Sequence, residues 1–405
     1  MKRIWFVIFV SLAGLLLSSM LAGQVIRHVN GGTIVIPKSS IQRPQDLGVR
    51  MHTNIELFYP DGVQPDSTSP TGETPSSLGC VYSLVANPQP GCPKNGTSNP
   101  TGGKGVIAIV DAFHYPTAAA DLKVFSDTFG LPTPKFKQIH SGNVPPTNCD
   151  WEVEESLDIE WAHAMAPNAK IVLVEAQSNQ TSALLAAVDL ANSYIQSHGG
   201  KGEVTMSWSG GETGGEINLD SHFTAPGVVY FASSGDTGGV VGWPSTSPNV
   251  VSAGGTQVNR SNGNFTNETG WSGSGGGPST VEPRPSYQDA IQNIVGTHRG
   301  TPDFSYDASP ISGASVYNTS TASCGANQWF VVGGTSLSSP ALAGVVNSAH
   351  KFKANTKAEN TLIYKNLGNA AVFTDITSGH AGQYSAGPGW DFVTGVGTDI
   401  GKKGK

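Results

Sequence analysis

Gly333-Gly334-Thr335-Ser336-Leu337-Ser338-Ser339-Pro340-Ala341-Leu342-Ala343-Gly344 is a tight glycine turn running into a helix. Ser336 then lies at the helix N-terminus, near unpaired backbone N–H groups and the positive end of the helix dipole. Pro340 is tolerated if it falls within about the first turn. A serine so placed can attack a carbonyl, and the N–H groups beside it can hold the resulting oxyanion. Ser and Thr are also the ordinary caps of helices, so the stretch gains meaning only from its company.

Working outward, the chain N-terminal to this stretch alternates short apolar runs with amphipathic segments. Strands are predicted at Gly105–Asp111, Lys170–Glu175, Val204–Trp208, Val228–Ser233, Asn249–Ala253 and Gln328–Val332. Helices are predicted at Thr117–Phe129, Trp151–Ala166 and Thr181–Ser197. Such alternation implies an α/β fold, a doubly wound parallel sheet with helices on both faces. Its active site belongs at the carboxyl ends of the strands, and Ser336 directly follows one.

The predicted helix Trp151–Ala166 carries Val153, Leu157 and Trp161 on one stripe, with Glu154 and Asp158 side by side at i, i+4. Two carboxylates that close repel, so one holds its proton to higher pH and the pair titrates together. Glu155 and Glu160 are expected on a solvated face, and His163 packed or at the surface. Asp236 ends a strand in Tyr230-Phe-Ala-Ser-Ser-Gly-Asp236 and opens toward the same sheet edge as Ser336.

The chain has 405 residues, is 38% hydrophobic and 13% charged, and carries a net charge of −7. This is a globular composition with no basic patch for nucleic acid or anionic lipid. Residues 1–23 have the plan of a secretory signal: Lys2 and Arg3, then apolar Ile4–Leu17, then small residues near Ala22 and Gly23. The expected location is extracellular, with no membrane association after signal removal, as a monomer. Four cysteines suit an exported chain, and Cys80 with Cys92 is the most plausible local pair. Residues 24–103 are expected to form an extended N-terminal arm, with Pro65–Gly103 as a surface loop. The peptidase-like core is assigned to residues 104–400, and the Gly-Lys-Lys-Gly-Lys405 tail is expected to be solvated.

Taken together these residues resemble the sedolisin (serine-carboxyl) peptidases, including kumamolisin-like enzymes, which have a subtilisin-like fold and work in acid. The pieces occur in family order: Glu154-x-x-x-Asp158 with Ala164-Met-Ala-Pro167, Ser207-Trp208, and Ser234-Gly-Asp236. They continue with Gly275-Gly-Gly-Pro-Ser279, Arg299-Gly-Thr-Pro-Asp303, Gly333-Gly-Thr-Ser336 and Gly387-Pro-Gly-Trp-Asp391. The resemblance implies Ser336 as nucleophile and Glu154 as general base, oriented by Asp158. It implies a protonated Asp236 donating to the oxyanion. It further implies a structural calcium ion held by the Asp375 and Asp391 carboxylates and the carbonyls of Ile376, Gly387 and Gly389. The substrate would be a peptide or unfolded protein. Family members are usually made with a long N-terminal prosegment, for which residues 24–103 are too short.

A neutral or alkaline subtilisin is the nearest rival, since Asp111 ends a strand in Ile-Val-Asp-Ala. No His-Gly-Thr-His motif follows it, and Asp111 is placed instead in an outer network near Glu154 and Trp208. A binding protein on an inactive peptidase scaffold is the rival of another class. The four intact catalytic positions count against it.

Overall fold

The computed structural model describes residues 20–21, 24–62, 67–319 and 328–405. Most of the proposed signal segment and Cys324 lie outside them. Among the described residues no helix is long and apolar enough to cross a membrane.

The arm supplies β1 (Gln24–Val29), β2 (Gly32–Ile36), β3 (His52–Thr53) and β4 (Glu56–Pro60), followed by a short helix, α1 (Pro75–Val81). The core then runs through β5 (Val106–Ala112), α2 (Ala118–Phe129), β6 (Lys135–His140), α3 (Cys149–Met165), β7 (Lys170–Ala176) and α4 (Thr181–Ser197). Next come β8 (Gly202–Met206), β9 (Trp208–Ser209), β10 (Val228–Ser233), β11 (Val251–Ser261) and β12 (Phe304–Asp307). Then come β13 (Ala314–Tyr317), β14 (Trp329–Gly333), α5 (Thr335–Ser348) and α6 (Thr356–Lys365), and short strands Phe373–Thr374 and Thr398–Asp399 join the main sheet.

The main sheet is ten-stranded, and from its interior to one edge it runs β12-β11-β10-β8-β5-β7-β6, all parallel. In β5, Val106, Ala108 and Val110 face α4, whereas Ile107 and Ile109 face α3 and α5. A strand alternates its side chains between faces, so a continuous apolar run is what a two-sided core requires. The expected doubly wound sheet is therefore present.

The structure corrects several expectations. The strand before Ser336, β14, is not in the parallel sheet. It pairs antiparallel with β13 and with arm strand β4, which in turn pairs with β2. Its apolar residues could not reveal its partner, because pairing depends on distant segments. The β6 strand was missed, since Lys135-Phe-Lys-Gln-Ile-His140 at the sheet edge alternates charge with apolar groups. The presumed surface loop contains α1, whose Leu78 is fully buried, and the expected Cys80–Cys92 disulfide follows from it. The C-terminal tail folds inward: Lys405 is buried, pairs with Asp399 and lies 4.3 Å above the Phe373 ring centroid.

Helix α3 has no solvated face, contrary to expectation. Glu152, Glu154, Glu155, Asp158 and Glu160 are all buried, because α2, α5, β13 and the sheet surround the helix. Burial is the largest influence on Glu154, Glu155, Asp158 and Glu160, and it raises each well above the ordinary carboxylate range. The same holds for Glu203 and Asp307. His163 is buried too, its Nε2–H donating to the Pro132 carbonyl at 3.0 Å, and burial pushes its imidazole down to about 4.

Helix α5 is buried along its whole length. Pro340 lies in its second turn, not its first, and so removes the N–H that would bond the Ser336 carbonyl. The Ser207 hydroxyl, which donates to Asp158 at 2.8 Å, lies 3.3 Å from that carbonyl. Gly334, just before the helix, has φ +104°, and a Cβ there would lie 2.0 Å from the Asn54 carbonyl oxygen. Gly334→Ala should therefore cost roughly 1–3 kcal/mol or more, read as a lower thermal midpoint. An unchanged midpoint would contradict this account of the turn.

The buried carboxylates make stability depend on pH with a definite sign. Each has a raised folded-state pKa, so the folded protein holds the proton more tightly than the unfolded chain does. That contribution is complete below the ordinary carboxylate range, about pH 4, and is lost as pH rises through the folded values. Asp111, pushed up to about 8, and Glu359, raised to about 7, extend the window toward neutrality. The thermal midpoint should be highest near pH 3–4 and decline toward pH 8. Scanning calorimetry across pH tests this, and a midpoint rising toward neutrality would refute it.

Candidate active site

Ser336 stands at the second residue of α5, behind a strand-to-helix turn that Gly334 makes possible. Its hydroxyl lies 3.0 Å from Glu154 Oε2 and donates to it. Glu154 and Asp158 project from α3, and α3 packs along α5, so two segments far apart in sequence meet here. Asp158 accepts a 2.8 Å hydrogen bond from Ser207 Oγ. Burial raises Glu154 most, Asp158 and Asp111 add to it, and the Ser336 hydroxyl works in the opposite direction by favouring the carboxylate.

Asp236 sits beyond the end of β10. Its Oδ1 accepts from the Thr335 N–H at 2.7 Å and from Thr335 Oγ1 at 2.9 Å. Thr335 Oγ1 in turn accepts from the Gly235 N–H at 3.0 Å. This leaves Oδ2 buried with no hydrogen-bond partner. Burial raises Asp236 well above the carboxylate range, and the neighbouring Glu56 raises it further. Glu56 is itself buried and paired with Arg27. A carboxyl held protonated can donate from Oδ2, which an ionised one cannot.

Asp111 is wholly buried at the end of β5. Its carboxyl makes no hydrogen bond, and after burial its nearest charged influence is Glu175. It acts on Asp158 and Glu154 by charge alone, and the Trp208 indole donates to the Val110 carbonyl at 2.8 Å rather than to Asp111. Glu175 also draws in His114 Nδ1 at 2.8 Å and His140 Nδ1 at 2.6 Å, an imidazole–carboxylate group at the carboxyl ends of the strands.

The unforeseen component is the arm. His52 and Thr53 pair antiparallel with Ser209 and Trp208. The next residue, Asn54, is buried and clasps Ser336 from both ends of its own backbone. Its N–H donates to Ser336 Oγ at 3.2 Å, and its carbonyl accepts from the Ser336 N–H at 3.1 Å. The same carbonyl lies 2.0 Å, and Asp236 Oδ2 lies 2.5 Å, from the point that a Cβ on Gly334 would occupy. Only an extended-chain reading of His52–Asn54 was available from sequence, and nothing local announced its destination. Beside Asp236 opens a cavity of about 330 Å³, lined by Ile36, His52, Ile55, Ser209, Asp236 and Val240 among others. Glu212, which follows β9, accepts from the Thr280 N–H at 2.7 Å, just beyond Gly275-Gly-Gly-Pro-Ser279.

Of the five residues expected at the calcium site, hydrogen bonds join Asp375 to Gly389 and Asp391 to Gly387. Gly389 N–H donates to Asp375 Oδ2 at 2.9 Å, and Gly387 N–H donates to Asp391 Oδ2 at 3.0 Å. Asp391 Oδ1 accepts from the Val393 and Thr394 N–H groups, both at 2.8 Å. Two carboxylates thus face one Gly-Pro-Gly loop, with the hard oxygen chemistry that Ca²⁺ takes.

No family model matches the chain. In sequence it is similar to kumamolisin of Bacillus sp. (strain MN-32), 32% identical over 297 residues, or 63% of this chain and 50% of kumamolisin. Sedolisin of Pseudomonas sp. (strain 101) is 26% identical over 354 residues, or 76% of this chain and 58% of that protein. The chain spans about half the length of the curated relatives it matches. Among solved structures, Pseudomonas sedolisin, a serine-carboxyl proteinase complexed with pseudo-iodotyrostatin, superposes with a TM-score of 0.68 at 24% identity. That match covers 82% of this chain and 96% of the other. Sphericase superposes with a TM-score of 0.53 at 17% identity, over 82% of this chain and 99% of its own. At those identities the superpositions speak for the subtilisin-like fold alone. In sequence the chain is thus similar to kumamolisin and sedolisin, and in fold to Pseudomonas sedolisin.

Proposed function

We propose that this protein is a secreted, acid-acting serine-carboxyl peptidase that cleaves peptide bonds in peptides or unfolded proteins. The observation that carries this reading is the peptide carbonyl of Asn54. It lies on the Ser336 N–H and beside Asp236 Oδ2, while the Ser336 hydroxyl points at Glu154. An extended segment delivering a carbonyl to that point is the posture of a substrate added to a sheet edge.

In the proposed reaction, Ser336 Oγ attacks the carbonyl carbon and its proton passes to Glu154. The tetrahedral oxyanion is held by the Ser336 N–H and by protonated Asp236. Collapse breaks the C–N bond, and the leaving amine takes the proton back from Glu154. Water then attacks the acyl-serine ester by the same route and releases the acid product. The two carboxyls need opposite states: burial is the largest influence on both and raises both, but the Ser336 hydroxyl opposes it at Glu154 whereas Glu56 adds to it at Asp236. Asp158, one turn along α3, acts on Glu154 by charge, with Glu154 Oε1 and Asp158 Oδ2 both without a hydrogen-bond partner. A carboxylate base suits acid conditions, where its pKa lies near the working pH.

Secretion is supported by the basic and apolar pattern of residues 1–23 and by the Cys80–Cys92 disulfide. Access for an external substrate requires that His52–Asn54 leave the cleft or be cut.

Cleavage of denatured casein from about pH 3 to 8 tests the reading. Activity should centre in acid, vanish in Ser336→Ala, and fall by about 10²–10³ in Asp236→Ala. Asp236→Asn donates at every pH, so it should retain more of its acid activity at neutral pH than wild type does. Activity centred at alkaline pH, or unaffected by Ser336→Ala, would refute the proposal.

Ca²⁺ is proposed at Asp375, Ile376, Gly387, Gly389 and Asp391, where it would tie the C-terminal loop to the core. Removing it with a chelator should lower the thermal midpoint of the wild type but not of Asp391→Ala, which should start lower. A midpoint indifferent to chelator in both proteins would exclude a structural role.

A further inference from the structure

We infer that the subsite preceding the cleaved bond is built for an asparagine side chain, with Ser209 and Ser233 as the specificity-determining residues. This rests on the peptidase reading above and names the substrate class it leaves open. Asn54 is the residue whose carbonyl meets Ser336, so its side chain occupies the subsite before the scissile position. That side chain is not solvated, since Asn54 is only 1% exposed. Its Oδ1 accepts from Ser209 Oγ at 3.1 Å, and its Nδ2 donates to Ser233 Oγ at 2.7 Å.

Both serines are buried and both belong to rigid strands, β9 and β10, that flank the site. Two hydroxyls, set one on either side of a planar amide, match its acceptor and its donor at once. An aliphatic side chain of similar size would leave both hydroxyls facing apolar atoms in a buried space, each at a desolvation cost. Alanine would leave them facing a void. Pockets that hydrogen-bond their ligand reject analogues lacking those groups far more strongly than apolar pockets reject a missing methylene. The backbone contacts of Asn54, in contrast, are open to any residue. The preference therefore resides in the side-chain pocket.

Two measurements test this. Peptides differing only in the residue before the cleaved bond are digested by the full-length protein in acid, and the cuts are located by mass spectrometry. Asparagine should exceed leucine and alanine by about tenfold or more in kcat/KM, through KM and kcat together. Ser209→Ala and Ser233→Ala should bring that ratio toward parity while cleavage elsewhere in the peptide series continues. Ser336-dependent cleavage with no asparagine preference would overturn the subsite and leave the peptidase reading intact. Cleavage of no peptide would overturn the peptidase reading instead.

The second measurement needs no turnover. In a Ser336→Ala background, amide hydrogen exchange of residues 52–56 is compared among Asn54, Asn54→Leu and Asn54→Ala proteins. Faster exchange in both variants, reproduced by Ser233→Ala, is the expected result. Equal protection in all of them would show that the pocket does not read the amide, and would overturn the inference by itself.

Discussion

The close approach of two buried helices governs this structure. A Cβ on Gly344 of α5 would lie 2.7 Å from the Met165 Cβ of α3 and 3.1 Å from the Ala162 carbonyl oxygen. Glycine and alanine at this crossing let the backbones come together where larger residues would force them apart. The meeting of Ser336 with the α3 carboxyls follows from that spacing. It brings Glu154 to 3.0 Å from Ser336, and it lets Ser207 reach both Asp158 and the carbonyl left open by Pro340. Widening the contact by a methyl group would separate the hydroxyl from its base without touching either one.

The same packing has an electrostatic consequence. Helix α3 carries its acids into the buried interior, where an ionised carboxylate is expensive. The solution is protonation, and it fits a protein whose site needs one carboxyl neutral and another near its titration point. Asp111, Asp158 and Glu154 influence one another, and Glu175 extends the series toward His114 and His140. Stability and the proposed site chemistry would thus share one dependence on acid, because the same groups supply both.

The arm links fold and site in a different way. Strand β4 completes the antiparallel sheet beside β14, and β14 leads directly into the Ser336 turn. Two residues before β4, Asn54 occupies the site itself. The segment that would have to leave for an external substrate is therefore continuous with one that helps to hold the catalytic turn. Cleavage after Asn54 would free the preceding residues while leaving β4 in its sheet.

Much of this was legible in the chain. The apolar run Val106–Val110 announced a strand buried on two faces, because alternating side chains with both faces covered must all be apolar. The i, i+4 spacing of Glu154 and Asp158 placed the carboxyls together, because helical geometry is local. The Gly333-Gly-Thr-Ser336 turn announced an N-terminal serine for the same reason, since φ above zero at Gly334 is a property of one residue. Other features could not be read there. Glu155 and Glu160 look like a solvated face until α2, α5 and β13 close over them. Gln328–Val332 looks like one more parallel strand until β4 and β13 claim it. Asn54 lies 282 positions from Ser336, and no local pattern records that meeting. The sequence by itself determined the elements and the chemical groups they carry, which depend on neighbours within a turn or a strand. Only the tertiary structure decided which strands pair, which acids lose water, and which carbonyl Ser336 holds, because burial and pairing are set by segments far apart in the chain.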